Sequence, residues 1–273
     1  MAPTTANRPH GRVISPVRRA RHRLRAHVSG YPAVYLPFAR HKYPGPSPEV
    51  ISSQTELVID GYTRSATTFA VYAFQLSQDR PVRLAHHLHA PAQLMTAARR
   101  GVPVLALIRE PRGAVLSQLT QEPDVALRDA LAAYSRFYAR LLPYRESFVV
   151  GEFGEVTRDF GAVVRRLNAR FGTSFAEFRH TEANMRECFD LIKLRGTSSK
   201  ILFGFESGTV TWGQLRRALP ALKHSPVPGG TEDWIPSGDR ERAKAALGEQ
   251  WQRPSLTRLR DRAEQVYQQF RYG

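Results

Sequence analysis

Short apolar runs alternate with longer stretches of helical periodicity up to about residue 171. Continuous apolar runs at 56–60, 102–108 and 147–151, with a shorter one at 81–85, predict buried strands, because a strand covered on both faces shows no polar alternation. A segment with apolar residues at helical spacing follows each run. Strands that alternate with helices predict an α/β domain, in which a parallel sheet is flanked by helices on both faces.

The helical segments can be bounded from their apolar spacing and their Pro and Gly residues. Helices are predicted at 67–78, 91–100, from 112 onward, at 125–142 and at 157–171, and two more are expected at the C-terminus. By contrast, residues 193–238 are rich in Gly and Pro, with one short helix expected at 212–219. Irregular segments of that length are commonly lids or binding loops, so we predict a lid-like insertion there.

Positive charge is concentrated at the N-terminus of the 273-residue chain. Of the formal net charge of +16, residues 1–48 supply nine Lys or Arg and no acid, whereas residues 49–273 hold 31 basic and 24 acidic residues. We therefore divide the chain into a basic arm, 1–48, and a single domain, 49–273. Residues 8–42 are expected to contact a membrane surface or a polyanion, although a solvated tail or an organelle transit peptide has the same composition. The apolar run 31–38 predicts that the second half of the arm packs on the domain.

Cysteine content and hydropathy bear on the compartment. The single cysteine, Cys188, excludes an intrachain disulfide and suits a reducing environment. There is no apolar run of 18 residues and no apolar segment after the first charges, so neither a membrane span nor a secretory signal is expected. We predict a cytoplasmic protein, peripheral to a membrane if the arm binds lipid. No Cys and His residues have metal-ligand spacing, so no metal is expected.

The turn after the first strand has the features of an anion-binding loop. Residues 61–68 read GYTRSATT and lead from a strand into a helix, where backbone N–H groups and the helix dipole attract an anion. Compared with the triphosphate loop G-x-x-x-x-G-K-[ST], the second Gly is Ala66 and the Lys is Thr67. The positive charge lies instead at Arg64. An ordinary ATPase or kinase is therefore disfavoured.

Two segments together resemble the sulfotransferases that use 3′-phosphoadenosine 5′-phosphosulfate. Residues 63–69, TRSATTF, are similar to their phosphosulfate loop P-[KR]-S-G-[TS]-[TS]-[FWL], with Thr63 for Pro and Ala66 for Gly. Residues 109–117, REPRGAVLS, are similar to their 3′-phosphate segment R-[DN]-P-[RK]-x-x-x-x-S. Each segment follows a predicted strand, and their spacing of about 45 residues matches that of the family. The resemblance covers mainly residues 55–172.

The resemblance implies a P-loop-type sheet and a set of donor-binding residues. Those expected at the 5′-phosphosulfate are Arg64, Ser65, Ala66, Thr67 and Thr68, and those at the 3′-phosphate are Arg109 and Ser117. Arg64 would also stabilise the leaving phosphate, and no metal is implied. The Cβ of Ala66 is expected to hold that residue to ordinary backbone dihedrals. A second 3′-phosphate contact is expected from Arg195 or Arg240.

A general base is expected among three histidines after the strand at 81–85. In the family a K-T-H-L-P motif at this place supplies a catalytic histidine, and His87-Leu88 matches its H-L. We rank His87 first, His89 second and His86 third. A carboxylate base, as in some relatives, would be Glu152 or Glu155.

The predicted reaction is sulfuryl transfer to a hydroxyl of a glycan, a lipid or a small molecule, and the basic arm favours an anionic acceptor. Two other classes stay open. A small-molecule phosphotransferase would use the same sheet but should need the loop lysine. A non-catalytic binder of polyanions or membrane surfaces would depend on the arm alone and show salt-dependent binding.

Overall fold

The computed structural model describes residues 16–223 and 238–273, without the side chains of Asp239 and Arg240. The strands in this part of the chain are β1 (Leu57–Gly61), β2 (Leu84–His86), β3 (Val104–Ile108) and β4 (Val149–Glu152). They form one all-parallel sheet in the order β2-β1-β3-β4. The predicted α/β class is therefore confirmed.

Thirteen α-helices in the described residues surround this sheet. They are α1 (Pro16–Val28), α2 (Pro32–Lys42), α3 (Thr67–Ser77), α4 (Pro91–Arg99), α5 (Pro111–Gln121), α6 (Leu127–Leu141), α7 (Phe153–Arg158), α8 (Phe160–Phe171), α9 (Glu182–Leu194), α10 (Lys200–Ser207), α11 (Trp212–Lys223), α12 (Gly238–Trp251) and α13 (Thr257–Tyr272). Helices α3, α4 and the pair α5–α6 connect successive strands, as parallel pairing requires. None of these helices combines the length and apolarity needed to cross a bilayer.

Each face of the sheet carries its own apolar core. On one face Val58 and Ala106 pack with residues of α4, α5, α6 and α13. On the other, Ile59 and Leu105 pack with residues of α3, α8, α9 and α10. Neighbouring strand residues therefore point into different cores, which explains why the strand sequences are apolar throughout.

The loops after β1 and β3 leave the sheet side by side. Gly61 ends β1 against β3, and a Cβ there would lie only 2.2 Å from the carbonyl oxygen of Leu107, so glycine permits the close approach. The chain then enters α3 on one face, whereas after Ile108 it enters α5 on the other. A crevice forms where crossovers diverge in this way, and ligands of parallel sheets bind at such points.

The described part of the basic arm is helical and docked. Tyr35, Leu36 and Ala39 of α2 are buried in the same core as α4, which confirms that the second half of the arm packs on the domain. Arg19 and Arg23 of α1 bind the carboxylate of Asp129 on α6, at 2.6 and 2.8 Å. Residues 8–15 of the predicted membrane or polyanion segment lie outside the described residues.

The short helix expected at 212–219 is confirmed as α11, but the prediction that the rest of 193–238 is irregular was wrong for most of its described part. Helices α10 and α11 occupy most of residues 200–223, and α9 runs to Leu194. Leu202 and Phe205 are buried in the core on the α3 face, so this part belongs to the folded body. Residues 224–237 lie outside the described residues.

Candidate active site at the β1–β3 crevice

The turn between β1 and α3 has an unusual backbone. Arg64 and Ala66 both adopt left-handed conformations, with φ of 68° and 69°, on either side of Ser65. The expectation that the Cβ of Ala66 would hold it to ordinary dihedrals was therefore wrong. Left-handed residues within a tight turn are a feature of the backbone concavities that bind anions. Non-glycine residues in this region carry strain, and such strain clusters at functional sites.

The hydroxyl residues of this turn face different ways. The hydroxyl of Thr67 is buried and has no hydrogen-bond partner among the described residues, although Thr67 lines the cavity described below. A buried hydroxyl without a partner is costly unless a ligand satisfies it. The Ser65 hydroxyl instead lies 3.4 Å from the Tyr138 hydroxyl in the core. An anion at this turn would therefore meet the backbone N–H of Ser65 and not its hydroxyl.

Arg64 and Ser117 meet directly. The Nε of Arg64 donates to the Ser117 hydroxyl at 3.0 Å, and its Nη1 donates to the Gln121 side chain at 2.8 Å. The sequence assigned Arg64 and Ser117 to two different phosphates of one donor. The structure instead joins the two predicted segments across the crevice and adds Gln121 as a third polar group, which no sequence motif marks.

Arg109 lies beside this pair and is held from several sides. Its Nη1 is 3.5 Å from the carbonyl oxygen of Arg64, and its guanidinium stacks 3.9 Å from the ring centre of Phe153. The buried Tyr134 hydroxyl donates to the Arg109 carbonyl at 2.7 Å, which fixes the backbone after β3. Arg64 and Arg109 therefore form a cationic pair at one end of the crevice.

In the histidine cluster at the end of β2, a carboxylate and a backbone carbonyl orient the ring of His89. Nδ1 of His89 lies 2.8 Å from the Gly61 carbonyl and 3.2 Å from the buried carboxylate of Asp60. Because a carbonyl oxygen can only accept, Nδ1 donates to Gly61, which leaves Nε2 as the ring nitrogen that can offer a lone pair. His89 is partly exposed and lines the cavity, so a molecule bound in the cavity can contact its ring.

His87 is placed differently. Its Nδ1 is 2.7 Å from Nδ1 of His86, and its Nε2 is 3.1 Å from the hydroxyl of Thr68. Burial, followed by the positive charge of Arg195, lowers the pKa of His87 well below its usual range. The same two causes lower the pKa of His86 to about 3. Both rings are therefore neutral near pH 7, and both nitrogens of His87 already have partners.

A buried ion pair supports this cluster from α10. Arg195 donates to the fully buried Glu206 at 2.8 Å, and the Tyr72 hydroxyl donates to the same carboxylate at 2.5 Å. Ligand atoms of His86, His87 and Glu206 lie within 4.8 Å of one another, which is close enough for a metal ion. The guanidinium of Arg195 already balances the Glu206 charge, so this trio is better described as a packed polar cluster.

Other predicted candidates have structural partners. Glu152 caps α7 by accepting from the backbone N–H of Gly154, and Glu155 binds Arg166. Neither carboxylate lines the cavity, so the geometry favours a histidine over either as the base. Arg195 lines the cavity on the His87 side, bound to Glu206, and the side chain of Arg240 lies outside the described residues.

These groups surround one cavity of about 720 Å³ at the carboxyl edge of the sheet. The residues that were singled out from the sequence and that line this cavity are Arg64, Ala66, Thr67, Thr68, His87, His89, Arg109, Ser117 and Arg195. Phe189, Ile192 and Phe203 add an apolar wall from α9 and α10. Lys244 of α12 also lines the cavity and was not singled out from the sequence, because nothing local marks a helical lysine as part of a site.

No protein-family model, curated protein or solved structure matches this chain.

Proposed function

We propose that the protein is a sulfotransferase that moves a sulfuryl group from 3′-phosphoadenosine 5′-phosphosulfate to an acceptor hydroxyl. The observation that carries the proposal is the direct contact between Arg64 and Ser117, at 3.0 Å, with Arg109 beside them. These residues come from the two segments that resemble the family's donor-binding motifs. A donor with two separate phosphate groups suits a crevice that gathers cations from two strand ends.

The residues of the cavity fit such a donor. The strained turn at Arg64 and Ala66 and the unpartnered hydroxyl of Thr67 suit an anion at the start of α3. Ser117 and Arg109 suit a second phosphate, since a guanidinium and a hydroxyl can share its oxygens. Arg64 would exchange its bonds to Ser117 and Gln121 for bonds to the donor.

Arg64 and His89 have different roles in the proposed reaction. The bound donor supplies the sulfuryl group, which passes from its bridging phosphate oxygen to the acceptor oxygen. Arg64 offsets the negative charge that develops on the phosphate. Nε2 of His89 takes the acceptor's proton, because Asp60 and Gly61 hold the opposite nitrogen protonated. We therefore place His89 ahead of His87 as the base.

A phosphotransferase that uses ATP is the second candidate, and one observation weighs against it. Position 67 holds Thr, and the nearest cation of the turn is Arg64, whose guanidinium points across the crevice to Ser117. ATP carries no 3′-phosphate to occupy that side of the site. Acceptors of either reaction would meet the wall of Phe189, Ile192 and Phe203, which favours an apolar body around the reacting hydroxyl.

Donor binding and turnover test the proposal. We expect the purified chain to bind adenosine 3′,5′-bisphosphate (the product left when the donor loses its sulfuryl group) more tightly than ATP in isothermal titration calorimetry. Arg64→Ala should weaken this binding about 10- to 100-fold, the loss typical of one charged hydrogen-bonding group. Labelled sulfate from the donor should no longer reach any acceptor with this variant.

Arg80→Ala is the matched control, because Arg80 is an exposed arginine that binds Glu56 away from the cavity. It should bind and turn over as the parent chain does. Tighter binding of ATP than of the 3′-phosphorylated ligand, or sulfation that survives Arg64→Ala, would overturn the assignment.

A further inference from the structure

Large apolar side chains that face solvent are concentrated on the N-terminal helices. Among the described residues, the exposed ones are Val17, Leu24, Tyr31, Val34, Phe38 and Tyr272. All but Tyr272 lie on or directly beside α1 and α2. Scattered exposed apolar residues need no explanation, but a concentration of them marks a surface that contacts something other than water.

Helical geometry groups these residues on outward faces. Tyr31, Val34 and Phe38 are three and four residues apart and share one side of α2, whereas Tyr35 and Leu36 on its other side are buried. Val17 and Leu24 are seven residues apart on α1, so they also share a side. We call Val17, Leu24, Val34 and Phe38 the apolar face of the arm.

The basic side chains of the arm form two groups: some bind carboxylates of the domain, and others lie near the apolar face. Arg18 binds Asp124, while Arg19 and Arg23 bind Asp129, so these three fasten α1 to the domain. Arg21, one turn before Leu24, and Arg40 and Lys42 at the end of α2 pair with no carboxylate among the described residues. No acidic residue occurs before Glu49. The two helices that carry the apolar face therefore contribute only positive charge to the surface around it.

We propose that the apolar face of the arm docks on an anionic lipid bilayer. Apolar side chains flanked by unpaired Arg and Lys are the composition of helices that lie in the membrane interface. Two copies of the arm facing each other would bring like charges together, which disfavours a dimer through this face. Nucleic acid would use the cations but would leave Val34 and Phe38 without a partner. The inference does not depend on the sulfotransferase proposal.

The opposite side of α1 connects this surface to the active site. A small cavity between α1 and the loop after β1 is lined by His22, Arg25, Thr63 and His89. The backbone N–H of Ala92 also donates to Ser29 at 3.0 Å, which joins the α1–α2 turn to α4. A bilayer at the outer side of α1 would lie about one helix diameter, ~10 Å, from the loop that carries Arg64.

Vesicle flotation of the full chain, without donor or acceptor, tests the proposal. We expect binding to vesicles of phosphatidylcholine mixed with phosphatidylglycerol, and much weaker binding to phosphatidylcholine alone. The double variant Val34→Ser, Phe38→Ser should reduce the partition coefficient at least about tenfold, since it removes two side chains from contact with the acyl boundary. Adding Arg21→Glu to the double variant should reduce the partition coefficient further and make vesicle binding less sensitive to salt.

Tyr272→Ser is the matched control, because Tyr272 is exposed to a similar degree but lies at the end of α13. Its vesicle binding should equal that of the parent chain, and circular dichroism should show all variants folded. The proposal fails if the double variant binds as the parent does, if binding ignores anionic lipid, or if no vesicle binds. It also fails if light scattering shows a dimer that the double variant dissociates while neither protein binds vesicles.

Discussion

Ala66 holds a left-handed conformation at the start of α3, where a Cβ is unfavourable. We predict that Ala66→Gly raises the free energy of unfolding by about 0.5–1 kcal/mol. Relief of left-handed strain contributes roughly 1–2 kcal/mol, and the greater freedom of glycine in the unfolded chain removes part of it. Urea denaturation of the two proteins measures the difference.

Ala70→Gly is the control for this change, because Ala70 is buried within the same helix. Glycine there should lower the free energy of unfolding by about 1 kcal/mol or more. If both variants are less stable than the parent, the backbone of Ala66 is not strained.

The histidines at the end of β2 give a second prediction at this scale. His89→Ala should lower kcat about 10²- to 10⁴-fold, the usual contribution of a general base, and leave donor affinity unchanged. His87→Ala should lower kcat less than about tenfold, because both its nitrogens are engaged by His86 and Thr68. Steady-state sulfation and donor titration on each variant separate the two effects. The reverse order of losses would assign the base to His87.

At the scale of elements, Asp129 binds two of the three arginines that fasten α1 to the domain. Burial by itself raises the pKa of Asp129, but hydrogen bonds from Arg19 and Arg23 outweigh it, so the pKa of this carboxyl is lowered. The stabilisation that the Asp129 carboxylate contributes is therefore present above the usual carboxyl pKa. It is lost as the pH falls through the lowered pKa of the folded state. Asp129→Asn should weaken α1 docking by about 1–2 kcal/mol, as expected for charged hydrogen bonds. Faster amide exchange in residues 16–28 would show it.

Asp124→Asn is the corresponding control. Asp124 is more exposed than Asp129, and its partner among the described residues is Arg18, itself largely exposed. Pairs of this kind contribute little, so exchange in α1 should change by less than about 0.5 kcal/mol. Equal effects of both variants would show that net charge, and not the buried carboxylate, holds the helix.

The error at 193–223 also belongs to the scale of elements. Gly204 lies inside α10, where a Cβ would come within 2.6 Å of Val210, so glycine serves packing there and does not mark a loop. Gly208 ends the same helix with φ of 73°. Pro220 lies inside α11. Composition alone treats such residues as breakers, because the contacts that favour them come from other elements.

For the whole molecule, the buried histidines predict sensitivity to acid. His86 and His87 stay neutral in the folded state because burial lowers their pKa values, whereas in the unfolded chain both titrate near pH 6.5. Below that pH the unfolded state binds more protons, so stability falls with pH. Each histidine contributes a slope of about 1.4 kcal/mol per pH unit until the folded pKa is reached. Urea midpoints between pH 7 and pH 4.5 should show this decline.

His86→Gln isolates one histidine in this measurement. The variant's overall stability does not matter, because the readout is the slope of the unfolding free energy against pH. That slope should be smaller than the parent's by about 1.4 kcal/mol per pH unit between pH 6 and pH 4.5. An unchanged slope would mean that His86 is protonated in the folded protein.

The sequence by itself determined the parallel α/β sheet, most helices up to residue 171 and the two loop segments at 61–69 and 109–117. These features are local: apolar periodicity indicates burial, and a tight turn between a strand and a helix favours anion binding through its own backbone N–H groups.

Only the tertiary structure decided how those pieces act together. Arg64 and Ser117 are 53 residues apart and meet because β1 and β3 are neighbours in the sheet. Asp60 and Gly61, which lie on another strand, orient the ring of His89 and so favour it over His87 as the proposed base. Asp129 neutralises part of the arm's positive charge. Sequence patterns describe what each residue can do, whereas partners distant in the chain fix which lone pair, hydroxyl or charge remains available for function.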